Sequence, residues 1–266
     1  MDNIRKIYKV ENFYKKKYLK YKLKYFELKN KFINVLPTNL GFDINKKFNV
    51  HCVDLDLEKI YCDKLICLVR NFFERDILSR LKDYPRPITT LYGDFVERKK
   101  GRFEIIPYAN LVAEIYKILN KSANFVLYNN LAKNEIKRLT GEDVTEELCL
   151  LPVEPNVENG LYHRDIFVKS PLNFVENTFY ITHLIYLDNI SSTEFCIGSQ
   201  TNPDDNPDNY EKKIIQSKGG KMVLFDGRII HRGLENKADR TRYAIYISYY
   251  KKSYIDEESI LPNFLS

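Results

Sequence analysis

Three stretches of this chain, far apart in sequence, carry residue types that make chemical sense together: His163-Arg164-Asp165, then His231, then Arg242. His163 and Asp165 are two apart, and on an extended strand end residues i and i+2 point to the same side. An imidazole nitrogen and a carboxylate oxygen can therefore close on one point. Taken alone, that pair reads equally as a hydrogen-bonded surface feature. His231 changes the reading. It follows a strand-like run, Lys221 to Phe225, and a turn-like Asp226-Gly227. Two His and one carboxylate on one face of an octahedral metal leave the opposite face open. Arg242 lies eleven residues after His231 in a second strand-like run, Thr241 to Ile247. A guanidinium there can grip a carboxylate with two parallel hydrogen bonds. Any fold for this chain must bring these separate segments to one place.

At these residues the chain resembles a known family. Tyr-His-Arg-Asp at 162–165, Phe-Asp-Gly-Arg-Ile-Ile-His-Arg-Gly at 225–233, Asn236 and Arg242 resemble the core of the Fe(II)/2-oxoglutarate dioxygenases, in particular the phytanoyl-CoA-dioxygenase-like group. Glu194 to Gln200 resembles that group's Gly-Ser-His turn, with Gln200 in place of the His. The resemblance covers roughly residues 95–250. It implies an α+β fold: a double-stranded β-helix (jelly-roll, cupin-like) core over roughly 100–250, buttressed by helices, within a domain spanning 37–266. It also implies Fe(II) held by His163, Asp165 and His231, with 2-oxoglutarate chelating the metal and its C5 carboxylate reaching Arg242. Dioxygen takes the last position and ascorbate assists. The implied outcome is oxidation of a C–H bond with release of succinate and carbon dioxide. Tyr180 and Thr182 would help hold the co-substrate by analogy with the family's inward strand, core packing being their plainer reading. Arg164, between two ligands, would touch substrate or be solvated; Arg240 shares a strand face with Arg242 and is its alternate. A carboxylate at 165, where related halogenases carry a small residue, favours hydroxylation.

Three functions are compatible with this reading: hydroxylation of a small molecule or metabolite, the same chemistry on a protein side chain or nucleic acid, and a non-catalytic binding module on the same fold. Position 248 is Ser, where the nucleic-acid repair branch carries a second Arg. Prolyl hydroxylases usually hold 2-oxoglutarate with Lys, whereas this chain has Arg242. The intact ligand set argues against the binding module. Other polar residues read as structural: Arg232 as a salt-bridge former with Asp226, Asn236 as a turn-fixing residue, His183 as a side chain on the face opposite Tyr180 and Thr182, and His51 as a surface residue.

Charge separates the chain into two parts. Residues 1–34 hold eleven Lys or Arg against three acids, a net of +8, while the whole chain is +6. The body is thus close to neutral, which also weighs against a polyanion as its substrate. Within the leader, assigned to 1–36, Tyr14, Tyr18, Tyr21, Tyr25, Leu28 and Phe32 recur at steps of four and three, an aromatic helical seam among lysines. That helix would dock on the body, self-associate or lie on a polyanion or membrane surface. It also loosely resembles the Lys/Tyr-rich leaders of large-DNA-virus proteins. No apolar run reaches the roughly 20 residues that span a bilayer, and the charged N-terminus has no apolar signal core. The five Cys are scattered with no Cys-x-x-Cys pair, which reads as reduced thiols without a structural zinc site. The expected setting is intracellular: cytoplasmic, or host cytoplasm or virion for a viral protein.

Pattern along the body is helical first and then stranded. A linker is expected at 37–49 and a helix from Asp54 to Leu81, with Leu57, Ile60, Tyr61, Leu65, Leu68 and Phe72 on one face and Pro85 and Pro87 beyond it. Arg102 to Ile106 reads as a strand, and Asn110 to Leu119 and Leu131 to Leu139 as helices, the latter closed by Gly141. Strands follow at Leu148 to Val153, Phe179 to Leu187 and the two runs already named, with Gly219-Gly220 as a turn. Residues 199–213, rich in Asn, Asp and Pro, read as a loop or lid, and substrate specificity is expected there and in 85–110.

Overall fold

From Val144 onward the chain is mostly strand, and the strands buried at every position, such as Tyr180–Tyr186 and Met222–Asp226, lie inside the larger sheet with neighbours on both edges. The computed structural model describes residues 51–52, 56–82, 95–165, 180–202 and 206–252. The strands are β1 (His51–Cys52), β2 (Phe95–Lys99), β3 (Arg102–Ile105), β4 (Val144–Val153), β5 (Tyr180–Tyr186), β6 (Ser192–Ile197), β7 (Glu211–Gln216), β8 (Met222–Asp226), β9 (His231–Gly233) and β10 (Arg242–Lys251). One antiparallel sheet runs β1-β8-β5-β10-β4-β3-β2 and a second runs β7-β6-β9.

The two sheets enclose an apolar core. Leu184, Tyr186, Val223, Phe225 and Ala244 from the large sheet meet Phe195 and Ile215 from the small one, with Ile229 from the turn between β8 and β9. Burial of such side chains at roughly 25 cal/mol per Å² is the main term holding the layers together. Cross-strand pairs keep each face in register: Ala244 lies opposite Tyr186, Thr182 opposite Ser248 and Phe225, and Leu184 opposite Val223. The outer face of the large sheet is covered by helices, so β5 is buried along its whole length.

Those helices are α1 (Lys59–Phe72), α2 (Ala109–Leu119) and α3 (Ala123–Thr140). Helix α1 continues through a π-helical stretch, Phe73–Leu78, into a last turn at Ser79–Leu81. The wider π turn rotates the inward face, which allows Phe72 and its neighbour Phe73 both to be buried. Phe73 then packs edge-on against Phe103 and Tyr243. On α2 the buried residues Leu111, Ile115 and Leu119 recur every four positions. Ser122 caps α3 by accepting from the Phe125 N–H at 3.2 Å, and Gly141 ends it in the left-handed conformation.

Several expectations are corrected here. The inward stripe of α1 is Cys62, Leu65, Val69 and Phe72; Ile60 is 59% exposed, and Leu57 precedes the helix, its N–H bonded to Gly220 O. Helix α3 begins at Ala123, not Leu131, because the Ser122 cap nucleates it and Asn129 is held by the Tyr249 hydroxyl at 2.7 Å. Strand β4 starts at Val144, where Glu146 accepts from Tyr116 and Lys133 and Glu147 from Tyr250. The expected loop at 199–213 contains two single turns, Ser199–Thr201 and Pro207–Asn209, and its last residues belong to β7. Strand β7 lies at the edge of the small sheet and buries only Ile215, so Glu-Lys-Lys-Ile-Ile-Gln reads as polar. The leader helix, the 37–49 linker, Pro85, Pro87, the side chain of His51 and residues 203–205 lie outside the described residues. Among the described residues no helix is long and apolar enough to cross a membrane, and Cys62, Cys67, Cys149 and Cys196 are free.

Two buried polar groups carry stability predictions. His183, on the outer face of β5 as the alternation implied, stacks on Phe125 at 5.7 Å and meets Tyr128 edge-on. Neither ring nitrogen has a hydrogen-bond partner among the described residues, and burial lowers its pKa to about 3. The folded state thus keeps this imidazole neutral while the unfolded chain protonates it near pH 6.5. Stability is lost as pH falls from that value toward 3, at about 1.4 kcal/mol per pH unit for one proton. His183→Phe should flatten that part of the acid limb by one proton, read from denaturant unfolding at a series of pH values. The second group is Asp226 at the end of β8. Arg228 grips it through Nε at 2.9 and 3.1 Å and through Nη2 at 2.5 Å, and both are buried. Arg228→Ala strands a buried carboxylate and should cost about 3–5 kcal/mol in denaturant unfolding.

Candidate functional site

The site is assembled by a backbone ladder between residues 157–165 and 227–236. Asn236 N–H donates to Val157 O at 2.7 Å and Gly160 N–H to Gly233 O at 2.8 Å. His163 and His231 then exchange both backbone hydrogen bonds, at 3.0 and 2.9 Å, as an isolated antiparallel bridge. Asp165 N–H closes the ladder on Gly227 O at 2.8 Å. Gly227 is needed there, since a Cβ would stand 2.4 Å from the Tyr180 ring. The Asn236 side chain anchors the far end, donating to Val153, Glu154 and Arg240 carbonyls and accepting from Ala238 N–H. That matches the turn-fixing role expected of it.

This ladder brings together the three side chains first singled out. His163 Nε2 is 3.7 Å and His231 Nε2 3.4 Å from Asp165 Oδ1, and the ligand atoms all lie within 4.8 Å of one another. Every other polar atom of the three is occupied. His163 Nδ1 faces Leu161 O at 3.1 Å, and His231 Nδ1 faces Ile229 O at 3.0 Å. A carbonyl can only accept, so each Nδ1 carries the proton and each Nε2 presents its lone pair. Thr182 Oγ1 donates to Asp165 Oδ2 at 2.5 Å, which leaves Oδ1 for the shared point. Burial and the neighbouring His231 hold the His163 imidazole below its ordinary range, favouring the neutral form that ligates metals. Side-chain exposure falls from 36% at His163 to 16% at Asp165 and 9% at His231, so the group opens to solvent on the His163 side. Phe195 and Phe225 wall the closed side, their rings 5.7 and 4.9 Å from that of His231.

The remaining sequence candidates are placed as follows. Arg242 begins β10 on its inward face, is 4% exposed, and donates to the Leu234 and Glu235 carbonyls. Arg240 is exposed, sits before the strand and bonds Asn189 at 3.3 Å, so it does not share that position. Thr182 contacts the Asp165 carboxylate through its hydroxyl. Tyr180 donates to Ser248 Oγ at 2.5 Å and stacks on Tyr250 at 5.5 Å, so its hydroxyl is turned into the sheet. Arg164 is half-buried. Its guanidinium binds the carbonyls of Ser199, Asn202 and Arg228, tying the His163–Asp165 segment to the turn after β6. Arg232 pairs with Glu194 at 2.9 Å and lies over the Tyr162 ring, while the expected partner Asp226 belongs to Arg228.

Two contributions were not anticipated. Ser199 accepts from Ile230 N–H at 2.8 Å and donates to Cys196 O at 2.7 Å, fixing the residue before His231. The Gly-Ser turn at 198–199 carried that signal. Arg98 on β2 pairs with the buried Glu104 at 2.5 Å, and Tyr246 donates to the other Glu104 oxygen at 2.6 Å. Burial raises the Glu104 pKa, and Arg98 with the Tyr246 bond opposes that rise. The charge on Arg98 is felt at Asp165 and His163, so this pair belongs to the surroundings of the site. Arg98 lies 65 positions upstream of His163, and nothing local in the sequence links the two.

No family model matches the chain, and no curated protein matches it in sequence. Solved structures do match in fold. SnoK, described as a non-heme alpha ketoglutarate dependent carbocyclase from nogalamycin biosynthesis, aligns with TM-score 0.53 and 16% identity over 82% of this chain and 85% of its own. AviO1 from Streptomyces viridochromogenes Tue57 aligns with TM-score 0.52 and 15% identity over 82% and 98%. SnoN, described as a non-heme alpha ketoglutarate dependent epimerase from the same biosynthesis, gives 0.50 and 14% over 74% and 75%. At these identities the likeness is one of architecture. The chain therefore has the mixed helix-and-sheet, cupin-like double-stranded β-helix fold shared with non-haem 2-oxoglutarate-dependent enzymes.

Proposed function

We propose that the chain is an Fe(II)- and 2-oxoglutarate-dependent oxygenase, of the phytanoyl-CoA-dioxygenase-like kind, that hydroxylates a small molecule. The observation that carries this reading is the donor set: two Nε2 atoms and one carboxylate oxygen converge, while each Nδ1 and Asp165 Oδ2 is satisfied elsewhere. Nitrogen and hard-oxygen donors on one face suit Fe(II) with open positions. In this reading His163, Asp165 and His231 would hold iron, and Arg242 would hold the distal carboxylate of 2-oxoglutarate. When bound, iron and 2-oxoglutarate supply oxidation of a substrate C–H bond by dioxygen, with succinate and carbon dioxide as products.

The chain's own residues prepare the site. Leu161 O and Ile229 O fix both ring tautomers, and Thr182 selects which Asp165 oxygen is free. Phe195 and Phe225 keep water from the closed side of His231. The Arg98–Glu104–Tyr246 group sits where the 85–110 stretch was expected to govern specificity. Ser248, where a nucleic-acid repair enzyme would need a second Arg, is committed to Tyr180, and this favours a small-molecule substrate over a nucleic acid. SnoN and SnoK are described as an epimerase and a carbocyclase, so co-substrate turnover, which does not depend on the fate of the substrate, is the first activity to measure.

With Fe(II), ascorbate and 2-oxoglutarate, the protein should release succinate, and His163→Ala should lower that rate by at least about a hundredfold, as expected for a lost ligand. Stoichiometric 2-oxoglutarate binding without succinate from the wild type would support a binding module instead. Thr182→Val removes the donor to Asp165 Oδ2 without changing shape. Its affinity for Mn(II), titrated by electron paramagnetic resonance, should fall about 10–100-fold; an unchanged affinity would remove Thr182 from the site.

A further inference from the structure

Two arginines meet beside the metal group with no acid between them. Arg102 on β3 and Arg242 on β10 both lie opposite Val153 of the intervening β4, so they share one face, two strands apart. Their guanidinium groups converge on Gly233. A Cβ at that glycine would stand 3.1 Å from Arg102 Nη1 and 3.5 Å from Arg242 Nη2. Both groups donate to the same carbonyl, Leu234 O. Arg102 otherwise donates only to Glu158 O, and Arg242 to Glu235 O. Among the described residues neither has a carboxylate within ion-pair distance. Asp188 acts on Arg242 through space, but its oxygens accept from Tyr243 N–H, Ile190 N–H and the Ser191 hydroxyl. Burial, and then the charge of Arg242, push the Arg102 pKa down to about 10, a sign of two cations held near each other without compensation.

Arg242 is buried and Arg102 half-buried; cations held in such places without an anion are costly, and backbone carbonyls offset only part of that cost. Each guanidinium has five N–H donors, so several remain after the carbonyl bonds are counted. Arg102 Nη1 in particular makes no hydrogen bond to a described residue and faces the glycine pair Gly160 and Gly233. Gly233 lies two residues after His231 on β9, so one short strand carries a metal-facing imidazole at one end and both guanidinium groups at the other. A ligand with a chelating head and a distal carboxylate fits that arrangement. We infer that Arg102 is a second anchor for the distal carboxylate of the co-substrate, forming with Arg242 a two-guanidinium seat. This rests on the function proposed above.

Pyruvate separates the seat from the metal, because it shares the chelating head of 2-oxoglutarate and lacks the distal carboxylate. Both are titrated calorimetrically into the Mn(II)-loaded full chain. Arg102→Gln should weaken 2-oxoglutarate by at least about tenfold, as expected for a lost charge-assisted contact, and leave pyruvate unchanged. Arg102→Lys should restore part of the difference, and Arg242→Gln should lose at least as much as Arg102→Gln. Equal loss for both ligands, with a lowered melting temperature, would mean that Arg102 only clamps the Glu158 and Leu234 carbonyls, and would overturn the seat. So would an Arg102→Gln affinity for 2-oxoglutarate within about twofold of wild type while Arg242→Gln abolishes binding; the proposed function would then stand. A wild type that holds Mn(II) and takes up no 2-oxoglutarate would overturn both.

Discussion

The reciprocal backbone pair between His163 and His231 is the contact on which the site depends. It joins two segments nearly seventy residues apart and sets their rings 4.4 Å from each other. Main-chain bonds do this better than side-chain packing, because their geometry leaves little freedom in register. A slip of one residue would turn the His231 imidazole away from His163 and Asp165. The ladder is therefore reinforced at each end, by Asn236 on three carbonyls and by Gly227 under the Tyr180 ring. Arg164 and Ser199 hold the flanks through backbone groups. Most polar side chains near the metal group thus fix the backbone; few face the ligand space.

Charge is handled differently on the two sides of that ladder. Asp226 with Arg228, Glu194 with Arg232 and Glu104 with Arg98 are each closed by an opposite charge in contact. Removing one partner of a buried pair leaves a strongly unfavourable charge, whereas the intact pair is close to neutral in free energy. Such pairs give the hairpins a fixed shape. Arg102 and Arg242 have only carbonyls. Among the described residues these two guanidinium groups have no carboxylate in contact, and they mark the position at which the proposed co-substrate's anion is expected.

The grouping of His163, Asp165 and His231 was legible in the sequence because its pattern is local: His-x-Asp on an extended end and a second His after a strand and a turn. The alternation in β5 was legible for the same reason, and it placed Thr182 and His183 on opposite faces. Exact partners were not. Arg232 and Arg228 are four residues apart and both follow Asp226, and only the tight turn at Gly227 brings Arg228 back onto the carboxylate. That Thr182 points inward shows in the alternation, whereas its contact with Asp165 depends on how 157–165 docks and could not be read. Strand β2 and the charge on Arg98 had no local signal, since their place is fixed by pairing with β3 at the sheet edge.

The first helix shows how a stripe has to be read. At about 100° per residue Cys62, Leu65, Val69 and Phe72 fall within about 80° of one another and form the buried stripe, whereas Ile60, expected on that face, lies about 140° from Leu65 and is exposed. The π turn that follows brings Phe73 and Ile77 inward. One added residue per turn rotates the face by enough to keep α1 against both Phe103 of β3 and Tyr243 of β10. Those two strands also carry Arg102 and Arg242 on their opposite faces, one residue away in each case. Packing on the helix side of the sheet thus sets how far apart β3 and β10 stand around β4, and with it the spacing of the two guanidinium groups. Helix α1 is in this sense part of the anion-facing architecture, although none of its side chains reaches it.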